Sequence, residues 1–201
     1  MNNDSQVAVF IDYDNIEISA TEKLGKDAEV EWARVLEAAV QIGRVVTRRA
    51  YADWSAYGGD AQRELLGLGI ELVQVSSKRG KNAADIRIVI DALEMLFSER
   101  NNITHVMLVS GDGDFTELVH RLRTRGLFVI GLGVSGTSAE YLVNACDEFI
   151  FYDRLVGITP QPPRASAGSG KQKAALRDEE VAAPSFDISE ARQLLRRVLQ
   201  A

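Results

Sequence analysis

The stretch VMLVSGDGDFTEL, Val106 to Leu118, decides the fold. Its first four residues, Val106, Met107, Leu108 and Val109, form an unbroken apolar run, the pattern of a strand buried on both faces. Ser110 and Gly111 turn the chain. Asp112 and Asp114 follow, separated by Gly113, and Phe115, Leu118, Val119 and Leu122 resume at helical spacing. The expected local structure is strand, short turn and helix, with two acids at the turn. In an open parallel sheet such turns lie at the carboxyl ends of the strands, where ligands bind. Two carboxylates held there repel each other and favour a divalent cation with oxygen ligands.

Outward from this stretch the same alternation repeats. A first apolar strand is expected at residues 6–11, ending at Asp12, with residues 12–15 as the turn after it. A charged stretch leads to a helix near residues 30–42, with Gly43 as its C-terminal cap. Strands at 45–51 and 70–75 flank a short helix carrying Leu65 and Leu66. A polar, basic loop at 76–82 opens into a helix at 83–97, where Ile86, Val89, Ile90, Leu93 and Phe97 recur at three- and four-residue spacing. Beyond the central stretch come a strand at 127–132, a short helix at 139–146 and a closing strand at 148–152. Strands alternating with helices this regularly argue for an α/β protein with a mostly parallel sheet covered on both faces.

At residue 159 the composition changes. Residues 159–184 contain all four prolines, mixed with Ala, Ser, Gly and Lys. The chain is therefore divided into an α/β domain at 1–156, a flexible linker at 157–184 and an amphipathic helix at 185–201. One short helix cannot form a core. It is expected to dock on the domain, to pair with a protein partner or a second copy of the chain, or to open a further module.

The chain has 201 residues and a net charge of −6. Residues 1–156 hold 16 Lys and Arg against 24 Asp and Glu, and the remainder 7 against 5. The acidic body argues against a broad basic platform for nucleic acid. It leaves room for a nuclease, whose acids bound metal would neutralise. The single cysteine, Cys146, excludes an internal disulfide framework and a thiolate zinc cluster. The polar N-terminus enters a strand without a signal peptide, and no apolar run is long enough to span a bilayer. The expectation is a cytoplasmic protein with no membrane association.

Four acids fall at equivalent topological places. Asp12 ends the first strand, Asp85 opens the helix after the third, and Asp112 and Asp114 follow the fourth. If the sheet runs third, second, first, fourth, fifth strand, the first and fourth are neighbours whose connections leave to opposite faces. A crevice opens at such a switch point. An Asp after a strand is also a common helix N-cap, so each acid alone has a structural explanation. Four at one end of one sheet point to a metal-assisted site. Asp14 is a weaker candidate than its neighbour Asn15, whose amide can hold a carboxylate or a bound water. Asp91 lies six residues past Asp85, about 240° round the helix, and either supports the site from behind or lies outside it.

The segments VAVFIDYDNIEIS, KNAADIRIVIDALEML, VMLVSGDGDFTELVHRLRTRGLFVIGLG and SGTSAEYLVNACDEFIFYD together resemble the NYN domains of the PIN-like ribonuclease superfamily. The bacterial branch related to the low-amplitude-and-bright circadian protein is the most similar. The resemblance covers residues 6–153 and rests on three motifs: I-D-x-x-N, A-D-I with a second Asp in the same helix, and S-G-D-x-D-F. It implies a three-layer α/β/α sandwich, a Mg²⁺ or Mn²⁺ site of acidic residues, and single-stranded RNA as substrate. Carried onto matching positions, Asp12, Asp85, Asp112 and Asp114 are the acidic tetrad, and Asn15 is its polar companion.

Other residues are weighed against that expectation. Lys78, Arg79 and Lys81, in the loop before Asp85, either hold RNA phosphates flanking the cut or form a solvated loop. Tyr13, Trp54 and Tyr57 lie near turns on the same edge, where they either stack on bases or pack. His105 precedes the central strand, His120 lies well down its helix and reads as a surface or packing residue, and Arg121, Arg123 and Arg125 read as a solvated helix end. Two other function classes remain. One is a non-catalytic RNA-binding or regulatory scaffold. The other is a metal-dependent phosphatase using the D-x-D pair Asp12 and Asp14, which lacks a fitting motif lysine.

Overall fold

A computed structural model describes residues 5–26, 28–76, 82–97 and 102–158. Residues 159–184 of the expected linker, the helix expected at 185–201 and the basic residues Lys78, Arg79 and Lys81 lie outside the described residues.

The six strands among the described residues are β1 (Gln6–Asp12), β2 (Arg44–Ala52), β3 (Glu71–Gln74), β4 (His105–Val109), β5 (Phe128–Gly133) and β6 (Glu148–Phe151). They form one sheet in the order β3-β2-β1-β4-β5-β6, and every pairing is parallel. The helices are α1 (Tyr13–Leu24), α2 (Trp32–Ile42), α3 (Gly59–Gly67), α4 (Ala83–Phe97), α5 (Thr116–Thr124), α6 (Glu140–Ala145) and the single turn α7 (Tyr152–Leu155). None is long and apolar enough to cross a membrane.

Alternation along β1 distributes its residues between two cores. Val7, Val9 and Ile11 pack with Ile16 and Ala20 of α1, Trp32, Val35 and Leu36 of α2, Leu65 of α3 and Tyr152 of α7. Ala8 and Phe10 pack with Ile88 and Ala92 of α4, Leu118, Val119 and Leu122 of α5 and Leu142 of α6. The protein is thus a three-layer α/β/α sandwich. The central strands β1 and β4 are apolar on both faces because both faces are covered. Each fully buried Val, Leu, Ile or Phe contributes roughly 1.5–3 kcal/mol relative to exposure.

Two elements differ from the sequence expectation. Residues 13–24 are the helix α1, with no separate turn after Asp12. Its apolar face is narrow, with Tyr13, Ile16, Ser19 and Ala20 buried, and its charged residues mask the helical period. Tyr152 begins α7 and does not extend β6.

Candidate functional site

β1 and β4 are adjacent, and their connections depart to opposite faces: β1 runs into α1 in one layer, β4 into α5 in the other. The switch point lies between their carboxyl ends, where a crevice is expected. Asp12 is the last residue of β1 and the N-cap of α1, its Oδ1 accepting the Asn15 N–H at 3.4 Å. Its Oδ2 accepts the Ser110 hydroxyl at 3.2 Å. The same Ser110 oxygen accepts the Asp112 N–H at 3.1 Å. Asn15 Oδ1 accepts the Gly111 N–H at 2.9 Å. These bonds tie the β1–α1 turn to the β4–α5 turn. Asp112 then caps the 3-10 turn Gly113–Phe115, its Oδ1 accepting the Asp114 N–H at 2.9 Å.

The two glycines of this turn lie against close neighbours. A Cβ at Gly111 would lie 2.9 Å from Ser138 Oγ and 3.0 Å from Ser138 Cα. A Cβ at Gly113 would overlap the ring and hydroxyl of Tyr141. The segment carrying Ser138 and Tyr141 is itself anchored. Ala139 N–H donates to Gly111 O at 3.0 Å, Ser138 Oγ donates to Val134 O at 2.9 Å, and the buried Asp153 accepts the Ser135 N–H at 2.9 Å.

The electrostatics couple the four acids through Asp85. Asp12 is only 4% exposed. Burial above all, then the Asp85 carboxylate, lifts its pKa from 3.8 to about 7, against the opposing bonds from Asn15 and Ser110. Asp85, half-buried in the first turn of α4, is pushed up to about 6 by burial and then by Asp112 and Asp114. Asp85 is therefore the link between Asp12 on one side and the Asp112–Asp114 turn on the other. None of the four forms an ion pair with a basic side chain among the described residues.

That donor set fits a hard divalent cation in its chemistry. It is all carboxylate, its charges are mutually destabilising, and a cation would relieve them. Among the described residues no group of three or more His, Cys, Asp or Glu side chains is already arranged to hold a metal ion. Mg²⁺ commonly keeps several waters and takes one or two direct carboxylates, so its chemistry does not need a closed protein cage.

The remaining sequence candidates are placed elsewhere or differently. Asn15 holds a backbone N–H through its carbonyl oxygen, a positioning role. Asp14 accepts a hydrogen bond from the Tyr57 hydroxyl, so the second acid of the D-x-D pair is already engaged. Asp91 is 3% exposed and bonded to Arg87 at 2.8 Å, Tyr51 Oη at 2.9 Å and Arg49 at 3.4 Å. It braces α4 against β2. Tyr13 and Trp54 are buried. Tyr13 packs on Trp32, Trp54 and Tyr57 at ring centroid distances of 5.2, 5.0 and 4.8 Å. Tyr13 and Trp54 are therefore core residues, and the cavity beside them is lined by Glu17, Glu29, Glu31, Asp60 and Glu64, which repel phosphate. His105 begins β4, at the end of the strand away from the acids, against Phe128. His120 is exposed on α5. Arg123 is more than a solvated helix end: it donates to Ala145 O at 2.6 Å and pairs with Asp147 at 2.8 Å.

Two residues at the site escaped the sequence reading. Ser110 was legible only as part of a turn, although a buried hydroxyl between an apolar strand and an acidic turn needs polar partners. Tyr141 is 28 positions from Gly113 and has no linear signal beyond the glycine that makes room for it.

The family model described as NYN domain matches residues 6–153. A crystal structure of a protein of unknown function from Vibrio parahaemolyticus RIMD 2210633 is similar, with a TM-score of 0.64 and 26% sequence identity. The match covers 77% of this chain and 97% of that one. Among curated proteins none matches.

Proposed function

Because the chain belongs to the NYN domain family, a PIN-like nuclease family, we propose that it is a metal-dependent ribonuclease hydrolysing phosphodiester bonds of single-stranded RNA. The observation that carries the reading is electrostatic. Burial, then Asp85, holds Asp12 well above the usual carboxylate range, and burial, then Asp112 and Asp114, does the same to Asp85, without a basic partner among the described residues. Asp12, Asp85, Asp112 and Asp114 are the residues that would hold Mg²⁺ or Mn²⁺. Such an ion, when bound, supplies a nucleophilic hydroxide from water and neutralises charge on the scissile phosphate. Ser110 orients Asp12 and the Asp112 backbone together, and Asn15 fixes the Gly111 peptide between them. The phosphate-binding role expected of Lys78, Arg79 and Lys81 belongs to this proposal, since their loop precedes Asp85 in sequence.

The test is purified protein with labelled single-stranded RNA in Mn²⁺, in Mg²⁺ and in chelator, with Asp112→Asn prepared in parallel. Metal-dependent cutting that the variant lacks is the expected result. RNA binding without cutting under either metal would replace the nuclease with a scaffold. Equal cutting by wild type and variant would point to a contaminant and remove the tetrad from the chemistry.

A further inference from the structure

We propose that Tyr141 is the stacking platform for one base of a single-stranded RNA lying across the acidic crevice, an inference that rests on the ribonuclease reading. The ring lies against the Gly113 peptide, where a Cβ would overlap it. Gly113 separates Asp112 from Asp114, so the aromatic surface is set directly beside two of the four acids. Tyr141 is nevertheless 61% exposed. Its hydroxyl makes no hydrogen bond to another described residue, so nothing there explains a tyrosine at this position through its polar end.

Elimination leads to the same residue. Tyr13 and Trp54 are buried in mutual packing, and the Tyr57 hydroxyl is held by Asp14. Phe128, 40% exposed, begins β5 and pairs with His105 at the end of the sheet away from the acids. Tyr141 is the large aromatic that is both exposed and at the acidic end among the described residues.

The chemistry of the ligand follows from the surface offered. A flat ring with a free face accepts any base through stacking, which is tolerant of sequence. A base can reach it only when it is not stacked in a duplex, so the platform selects single-stranded or splayed nucleotides. The ring is anchored by Gly113 on one side and by the segment tied to Gly111 O and Val134 O at its start. A base resting on it would be fixed relative to Asp112 and Asp114, and with it the adjacent phosphate. Tyr141 is on this argument a positioning residue that sets where the strand lies relative to the acids.

The experiment uses the full chain and fluorescent single-stranded RNA, with binding followed by anisotropy in Ca²⁺ and cleavage followed in Mn²⁺. Tyr141→Ala should weaken binding about 5- to 150-fold, the range expected for losing one base–aromatic stack. Tyr141→Phe should stay within about twofold of wild type, because stacking needs the ring and not the hydroxyl. An RNA with one abasic nucleotide, scanned along the strand, should at one position bind wild type and Tyr141→Ala alike. Thermal midpoints within a degree or two of wild type would show that the exposed substitution leaves the fold intact. Equal RNA binding by wild type and Tyr141→Ala would overturn the inference while leaving any cleavage, and the nuclease reading, standing. A loss in Tyr141→Ala that no abasic position removes would overturn it in favour of simple packing over Gly113. No RNA binding by wild type would overturn it also. Stacking without any cleavage would uphold Tyr141 and sink the nuclease reading alone.

Discussion

Asp12→Asn is expected to stabilise the metal-free protein while removing its activity. Asp12 is buried, and its pKa rises from 3.8 to about 7 in the folded state. Between those values the folded protein retains a proton that the unfolded chain has released. Stability from this group is therefore fully present below about pH 4 and is lost as pH rises through about 7. At 1.36 kcal/mol per pKa unit, the ionised side chain at pH 8 costs the fold about 4 kcal/mol. Part of that cost is shared with Asp85, and an asparagine still buries a polar group. Asn also keeps an oxygen for the Asn15 N–H, preserving the cap. The net gain expected at pH 8 is about 2 kcal/mol, or roughly 4–8 °C in thermal midpoint for a domain of this size. At pH 4, where both side chains are neutral, the two proteins should melt together. The assay is thermal denaturation in chelator at pH 4, 6 and 8, repeated with Mn²⁺ at pH 8. Metal should raise the wild-type midpoint by mass action and leave the variant unmoved. A variant less stable than wild type at pH 8, or a gain of equal size at pH 4, would refute the claim that Asp12 is an uncompensated buried charge.

Asp91→Asn should do the opposite. It weakens the bonds to Arg49 and Arg87, whose side chains are partly exposed, and should cost about 1–3 kcal/mol in urea denaturation with RNA cleavage retained. Asn15→Ala leaves the Gly111 N–H without its side-chain acceptor. It should cost about 1–2 kcal/mol and raise the Mn²⁺ concentration needed for half-maximal cleavage, because the two acidic turns lose a tie. Unchanged metal dependence in that variant would make Asn15 a purely structural residue.

The layered fold was legible because its strands carry the signal of double burial. Val7–Ile11 and Val106–Val109 are apolar without alternation, as only strands covered on both faces are. The strand order was a supposition that neither pattern nor spacing dictates, and the observed sheet has that order with β6 added at the β5 edge. Helix α1 was not legible because its buried face is four residues wide and its exposed face is charged. Asp12, Asp85, Asp112 and Asp114 could be grouped in advance because each follows a strand in a parallel sheet, and that topology collects them at one end. Their hydrogen-bonding company could not. Ser110 bridging Asp12 to the Asp112 backbone, and Tyr141 filling the space left by Gly113, are contacts across 98 and 28 positions of chain.

Asp12 and Asp91 carry the same side chain at nearly the same burial, and the difference between them is the argument for function. Asp91 has two guanidinium groups and a tyrosine hydroxyl within 3.4 Å. Its charge is therefore compensated by the fold. Asp12 has one hydroxyl and one backbone N–H, and its nearest charged neighbours are acids. A fold that needed only an N-cap at Asp12 would be better served by Ser, Thr or Asn, which cap as well without a buried charge. The carboxylate is thus retained against stability, with no basic side chain paired to it among the described residues. A divalent cation would supply the compensating charge, since Asp85 is itself raised by burial and by the neighbouring Asp112 and Asp114.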